Sequence, residues 1–363
     1  MRRALITLSI LLIAASASAQ PLKRRAARVA EPTPGPVSLW SALTPGPYPI
    51  GYKMWLLVAQ ATEFHHGPQH LVQINVWYPA DATTGAPMTF RDYLYVKPAE
   101  NTHDEPTDAA RQAAVDEFTK PLLDAGVSAA TVNAIVDSPM IARMNAGIPV
   151  NLPRSPLVFI SPGNGQSAAD NAVLAEFIAS HGYIVVTVPS VTRLTGPLTS
   201  TDQIAARAEE QQDDDDRAAS AIGDWPNAVN IPVSIIGYDI GVDAALLYAM
   251  HQPTNAIVSL DATLSPALKS VGLYDASRQL PAILDLHGDT APDFGALTTA
   301  TVISQSFPSL RHVHFTTLGF AAAASPEIAR ATGAGPNVRA EVAAMAARTV
   351  QFLDQIWNPI RPR

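Results

Sequence analysis

Gly237-Tyr238-Asp239-Ile240-Gly241 is the stretch on which the fold turns. An apolar run, Ile231-Pro-Val-Ser-Ile-Ile236, leads into it, and a helical apolar pattern, Val242-Asp-Ala-Ala-Leu-Leu-Tyr-Ala-Met250, leads out. A strand, a sharp turn and a helix therefore follow one another within about twenty residues. Glycines two residues either side of the centre allow strand and helix to pack closely. The central residue is pushed out above the sheet, as in the pattern G-x-S-x-G. Here that residue is aspartate.

Working outward, the chain alternates buried-strand runs with helical segments. Residues 71–78 alternate and end at Pro79; an earlier strand is expected over residues 55–62. Residues 156–160, 183–188, 256–260 and 281–286 are short apolar runs, and a last strand is expected over 311–317. Residues 168–180, 202–222 and 337–356 have helical character. Continuous apolar strands alternating with helices predict a largely parallel sheet covered on both faces, an α/β architecture. Residues 86–150 interrupt this rhythm. They carry helical segments at 108–120 and 129–137 with no obvious core strand, and are expected to be an insertion near the strand ends, either a lid or pocket wall or a surface decoration. We expect one domain, residues 49–363, containing that insertion.

The first nineteen residues have the form of a secretory signal: Arg2 and Arg3, an apolar stretch, then Ala17-Ser-Ala19 before Gln20. Residues 20–48, rich in Pro, Ala and Arg, are expected to form an arm. Export to the periplasm or outside the cell follows, and losing Arg2 and Arg3 takes the formal charge from −8 to −10. That acidity argues against a nucleic-acid partner. No further stretch is long enough for an integral membrane span. The composition, 47% hydrophobic and 15% charged, supports a sizeable core. With no cysteine, the chain relies on that core alone. Oligomeric state is not legible.

These elements, with Ile74-Asn-Val-Trp-Tyr-Pro-Ala80, Met88-Thr-Phe-Arg-Asp-Tyr93, Phe159-Ile-Ser-Pro-Gly-Asn-Gly165, Ala179-Ser-His-Gly-Tyr183, Leu260-Asp-Ala262 and His312-Val-His-Phe-Thr-Thr317 in order, resemble an α/β-hydrolase. More specifically, they resemble the platelet-activating-factor acetylhydrolase-like branch and its dienelactone-hydrolase-like bacterial relatives. The resemblance covers roughly residues 47–357. It implies a carboxylic-ester hydrolase fold acting on a small-molecule ester or lipid-like ligand, with a nucleophile, an acid and a histidine in that order. In this chain they fall on Asp239, Asp261 and His312. Asp285 and Asp289 are rival acids, and His314 is a rival histidine. The oxyanion hole falls on the backbone N–H groups of Asn164 and Ile240, donors that do not depend on side chain.

Aspartate at the elbow alters the expected chemistry. A carboxylate attacking an ester forms a mixed anhydride while expelling a more basic alkoxide, which runs uphill. Two carboxylates flanking His312 favour its imidazolium, a poor general base. Ordinary esterase activity is therefore expected to be weak or lost. One alternative is a non-catalytic ligand-binding homologue. Another is an Asp-nucleophile hydrolase of halides or epoxides, although Ile240 and Val242 replace the Trp and the small residue usual in those branches. No cofactor or metal is expected. His65, His66 and His70 have no accompanying carboxylate set, Asp213–Asp216 is expected to be a solvated helix face, and Trp77 and Tyr78 are expected in the core. No dinucleotide fingerprint or P-loop is present.

Overall fold

The computed structural model describes residues 37–60, 69–102, 104–149, 154–190, 198–223, 225–226 and 228–357. The proposed signal, most of the proposed arm, His65 and His66 lie outside them.

The core is one ten-stranded sheet. In chain order the strands are β1 (Ile50–Gln60), β2 (Gln69–Pro79), β3 (Ala86–Thr89), β4 (Pro139–Met144), β5 (Ser155–Ser161), β6 (Ile184–Thr187), β7 (Ala228–Tyr238), β8 (Thr254–Leu260), β9 (Ile283–His287) and β10 (Val302–Ser306). The sheet order is β10-β9-β8-β7-β5-β6-β2-β1-β4-β3. From β10 through β6 every pairing is parallel. β2 then runs antiparallel to β6, and β1 antiparallel to β2. Parallel strands are buried on both faces, which is why β5 to β9 are short runs of Val, Ile and Leu.

Helices α1 (Phe90–Val96), α2 (Asp108–Asp124), α3 (Ala129–Val136), α4 (Ala168–Ser180), α5 (Thr201–Ala221), α6 (Gly241–His251), α7 (Thr317–Ala324), α8 (Pro326–Ala331) and α9 (Val338–Trp357) complete the fold. Two apolar clusters, one on each face, fill the space between helices and sheet. One joins α1, α4, α7 and α9 to the sheet. The other joins α5 and α6 to it. The expected parallel α/β sheet with helices on both faces is what the chain forms.

Several local expectations are corrected. β1 begins at Ile50, five residues before the expected start at Trp55. The segment expected as the last strand, 311–317, is instead a 3-10 turn, His312–Phe315, running into α7. The last strand is β10, at the sheet edge, where Val302–Ser306 is mostly exposed and lacks the apolar signature of its neighbours. The insertion is also more than helices. β4 pairs parallel with β1, Ile50 opposite Ala142, and β3 pairs with β4, so the insertion adds two strands to the sheet. Pro139 and Pro87 open or interrupt these strands, and pairing rather than propensity makes them β.

The acidic run on α5 is not a solvated face. Asp214 and Asp215 are buried, together with Arg207, Glu210 and Gln211. Burial pushes the Asp215 carboxyl up to about 8, against hydrogen bonding from Gln211. The helix's buried polar side chains pair with one another and with the segment after β6, while the helix packs chiefly on α6. Trp77 and Tyr78 are in the core, as expected. The Trp77 indole donates to Tyr93 Oη at 2.8 Å, and the Tyr78 hydroxyl donates to the Ala146 carbonyl at 2.7 Å.

A buried carboxylate ties the insertion to this core. Glu176, fully buried on α4, accepts at Oε1 from the Tyr93 hydroxyl (2.7 Å) and the Ala142 N–H (3.2 Å). At Oε2 it accepts from the Trp40 indole (3.0 Å) and the Ile141 N–H (3.0 Å). Segment 37–48, α1 and β4 thus converge on one side chain.

Among the described residues, no helix is long and apolar enough to cross a membrane.

Candidate active site

The elbow forms where β7 ends. A Cβ on Gly237 would stand 2.5 Å from the Val242 Cα, and one on Gly241 would stand 2.1 Å from the Ser161 carbonyl oxygen. Backbone occupies both places, so only glycine fits. Between them Asp239 takes φ +54°, in the left-handed region. A non-glycine residue held there costs on the order of 1–3 kcal/mol. The elbow backbone repays part of that cost: Asp239 N–H donates to Leu260 O at 3.2 Å, and Thr263 N–H donates to Asp239 O at 3.3 Å.

The structure brings Asp239, His312 and Asp261 together. His312 Nε2 lies 3.6 Å from Asp239 Oδ1. His312 Nδ1 is 2.7 Å from Asp261 Oδ2. Asp261 leaves the end of β8 with φ +47°, and its Oδ1 accepts the Gly288 N–H at 2.8 Å. The Tyr238 ring stacks on the imidazole, centroids 4.8 Å apart, and its hydroxyl donates to the His312 carbonyl at 3.2 Å. Tyr238 thus fixes the ring from behind. Its place inside the elbow stretch was legible, but its role depends on where His312 falls.

The rival residues stand elsewhere. Asp285 is buried and takes hydrogen bonds from Ser259 (2.9 Å) and Ser304 (2.8 Å). Asp289 pairs with Arg311 at the surface. His314 is buried; its Nδ1 accepts the Arg311 N–H at 2.8 Å, so its Nε2–H donates to Thr332 Oγ1, also at 2.8 Å. Burial, with Arg311 adding to it, holds the His314 pKa down near 4. It is a neutral structural histidine.

Charge in the site follows from these contacts. The hydrogen bond to Asp261 raises the His312 pKa above the usual histidine value; partial burial opposes this, and the charges of Asp239 and Asp261 reinforce it. Burial works against ionisation of Asp261, but the bonds from His312 and Gly288 prevail and hold its carboxyl below the usual range. The imidazole is thus biased toward imidazolium between two carboxylates. We expect the His312 imidazole titration, followed by NMR, to midpoint above about 6.5 in the wild type and to move down in Asp239→Asn. The raised folded value also fixes a sign. This pairing contributes its full stability below the unfolded pKa of about 6.5. The contribution is lost as pH rises through the higher folded value. An Asp239→Asn midpoint equal to the wild type would show that Asp239 exerts no field on the ring.

The loop after β5 faces the elbow. Gly163 lies so close that a Cβ would meet the Tyr238 ring at 2.8 Å and the Asp239 Cβ at 3.1 Å. The backbone N–H groups of Asn164 and Ile240 have no acceptor among the described residues. Gln166 pins this loop: its Oε1 accepts the Gly163 N–H at 2.9 Å, and its own carbonyl accepts the Ser190 N–H at 2.9 Å. Ser190 Oγ in turn accepts from Arg207 at 2.8 Å. Arg207 and Gln166 are therefore positioning residues that motif reading missed. Arg207 sits in a helix that looks solvated, and only its burial betrays the role.

No group of three or more His, Cys, Asp or Glu able to hold a metal occurs among the described residues.

The fold has a structural counterpart. A ferulic acid esterase from Streptomyces cinnamoneus superposes with a TM-score of 0.60, covering 87% of this chain and 93% of that one at 18% identity. The chain has the α/β-hydrolase fold. In sequence it is 30% identical to cutinase 1 of Thermobifida cellulosilytica over 96 residues, 26% of this chain. That match spans 35% of the cutinase's length. No family model matches.

Proposed function

We propose that this α/β-hydrolase-fold protein binds a small-molecule ester or lipid-like ligand at an esterase-type site in which Asp239 stands where the serine nucleophile would be, and that its ordinary ester turnover is weak or absent. The observation that carries this is the 3.6 Å contact between Asp239 Oδ1 and His312 Nε2, with Asp261 on the other ring nitrogen. It supports a carboxylate standing where the nucleophile would be and a His312 biased toward its charged form. The likeness to a cutinase segment and to a ferulic acid esterase supports an ester-type ligand. The finer placing, in the acetylhydrolase-like and dienelactone-hydrolase-like branch, rests on the motifs quoted above. Export by residues 1–19 and a single domain over 49–363 belong to the same reading.

The test is turnover of short p-nitrophenyl esters by the wild type. We expect rates far below an ordinary enzyme's kcat of about 10 s⁻¹, together with thermal stabilisation by ester ligands. Turnover at ordinary rates defeats this reading of Asp239.

A second reading rests on the same contact. Asp239 attacks an sp³ carbon of a halide or epoxide, expelling halide or opening the ring, and forms an alkyl ester. Water, deprotonated by neutral His312, would then attack that ester. Imidazolium retards the second step, so an adduct should accumulate. Intact-protein mass spectrometry after incubation with alkyl halides and epoxides would find it on Asp239; an unchanged mass removes this reading.

A further inference from the structure

The insertion and the core enclose a cavity of about 280 Å³ next to the elbow. Phe90 and Leu94 of α1, Phe118 and Leu122 of α2, and Leu318 of α7 form its apolar wall. The Phe90 and Phe118 rings meet edge to face, centroids 5.1 Å apart. Tyr238 and Val313, the chain neighbours of Asp239 and His312, also line it, so the cavity adjoins the proposed reacting groups.

Its polar side is acidic. Lys97 and Glu117 line it as a pair 2.7 Å apart. Asp170 lines it too; its Oδ2 takes both the Ser167 N–H (2.8 Å) and the Ser167 hydroxyl (3.1 Å), leaving Oδ1 open as an acceptor. Behind them Glu100 is 7% exposed, and its Oε1 has no hydrogen-bond partner among the described residues. Three carboxyl groups therefore gather around one ammonium. Lys97 is matched by Glu117, and burial pushes the Asp170 and Glu100 carboxyls up toward their neutral form. Such a wall offers an anionic group no uncompensated cation and offers a hydrogen-bond donor the open Asp170 Oδ1.

On the other side of His312 lies a separate polar cleft of about 330 Å³, lined by Thr263, Asp289, Thr290 and Arg311. The two halves of an ester therefore meet unlike surroundings.

We infer that the cavity under the insertion takes the acyl side of the ligand and selects an uncharged aryl-alkyl group bearing a hydrogen-bond donor. This deepens the ester-type reading and rests on it. The size points the same way. Ligand pockets commonly run from about 300 to 1,000 Å³, so this one suits a single ring on a short chain rather than a long lipid tail. Aromatic walls favour a ring, which gains from edge and face contacts. The insertion is then a pocket wall and not a surface decoration.

Calorimetry on the full wild-type chain tests this with four probes: methyl 3-phenylpropanoate, its 4-hydroxyphenyl and 4-carboxyphenyl analogues, and butyl acetate, whose acyl group is too small to need the cavity. The hydroxyl probe should bind up to about tenfold more tightly than the unsubstituted one, the worth of one net hydrogen bond. The carboxyl probe should bind more weakly than both. Ala114 of α2 also lines the cavity, so Ala114→Phe fills it from that side and should weaken the aryl probes at least tenfold while leaving butyl acetate unchanged. Leu318→Trp fills it from α7 and serves the same purpose should the first variant fold poorly. Aryl affinities unchanged in both folded variants, or a carboxyl probe binding as tightly as the hydroxyl probe, overturn the inference while the ester-type site stands. If no probe binds any of the proteins, butyl acetate included, the ester-type reading itself fails and takes the inference with it.

Discussion

Asp239→Ser should convert the protein into a measurable esterase, raising kcat/KM for p-nitrophenyl acetate by about 10²-fold or more over the wild type. A positioned general base is worth about 10²–10⁴-fold, and the parts that would use it surround the elbow. His312 Nε2 already faces the central side chain, and Asp261 holds Nδ1 at 2.7 Å. The Asn164 and Ile240 N–H groups, free of acceptors among the described residues, do not depend on the substituted side chain. The substitution acts twice. It supplies a hydroxyl for attack, and it removes one of the two carboxylates that raise the His312 pKa, so more of the imidazole is neutral at pH 7. Both effects should vanish in Asp239→Ser/His312→Ala, which should return to the wild-type rate. A folded Asp239→Ser protein without activity would show that the surviving groups do not make a serine-esterase site.

The second large effect concerns stability. Glu176→Ala should cost about 4 kcal/mol, because it strips acceptors from four buried donors at once: the Trp40 indole, the Tyr93 hydroxyl and the Ile141 and Ala142 N–H groups. Glu176→Gln keeps the shape but turns an amide NH₂ toward donors, and should cost about half as much. The pH dependence has a definite sign. Burial pushes the Glu176 carboxyl up to about 7, against the pull of its four donors. The folded state therefore holds this proton more tightly than the unfolded chain. The associated stability is fully present below the unfolded pKa of about 4.3. It is lost as pH rises through about 7. Urea unfolding at pH 5 and pH 8 should show the margin of wild type over Glu176→Gln shrinking at the higher pH. A constant margin would mean that Glu176 stays ionised throughout.

The ester-type site and the buried carboxylate differ in how visible they are in sequence. Asp239 stands in a glycine-bracketed turn, and its chemical oddity is plain from one letter. Asp261 and His312 fit the order nucleophile, acid, histidine that the resemblance implies, but Asp285, Asp289 and His314 stayed open as rivals in the sequence. Glu176 gives no such signal. It stands in the apolar second half of Ala168–Ser180, and its partners come from residues 34 to 136 positions away.

The parallel α/β sheet was determined by the sequence itself, because strands buried on both faces must be continuous apolar runs, and β5, β6 and β7 are each followed by a helical pattern. Glycines at 237 and 241 were equally legible, since a close approach of helix and strand permits nothing larger. Tertiary structure alone decided the rest. Whether residues 311–317 extend a sheet or turn into a helix depends on which neighbour their backbone meets, and β10 occupies the edge. That turn sends His312 toward Asp239 and buries His314 against Thr332, two outcomes that a strand with both on one face would have merged. Likewise the polar letters of α5 become a buried support for Ser190 and Gln166 only once the helix packs on α6 and against the segment after β6. Periodicity reports a residue's side of an element; the field around His312 comes from Asp239 and Asp261, 73 and 51 residues away along the chain, which only the adjoining ends of β7 and β8 bring to the two nitrogens of one ring.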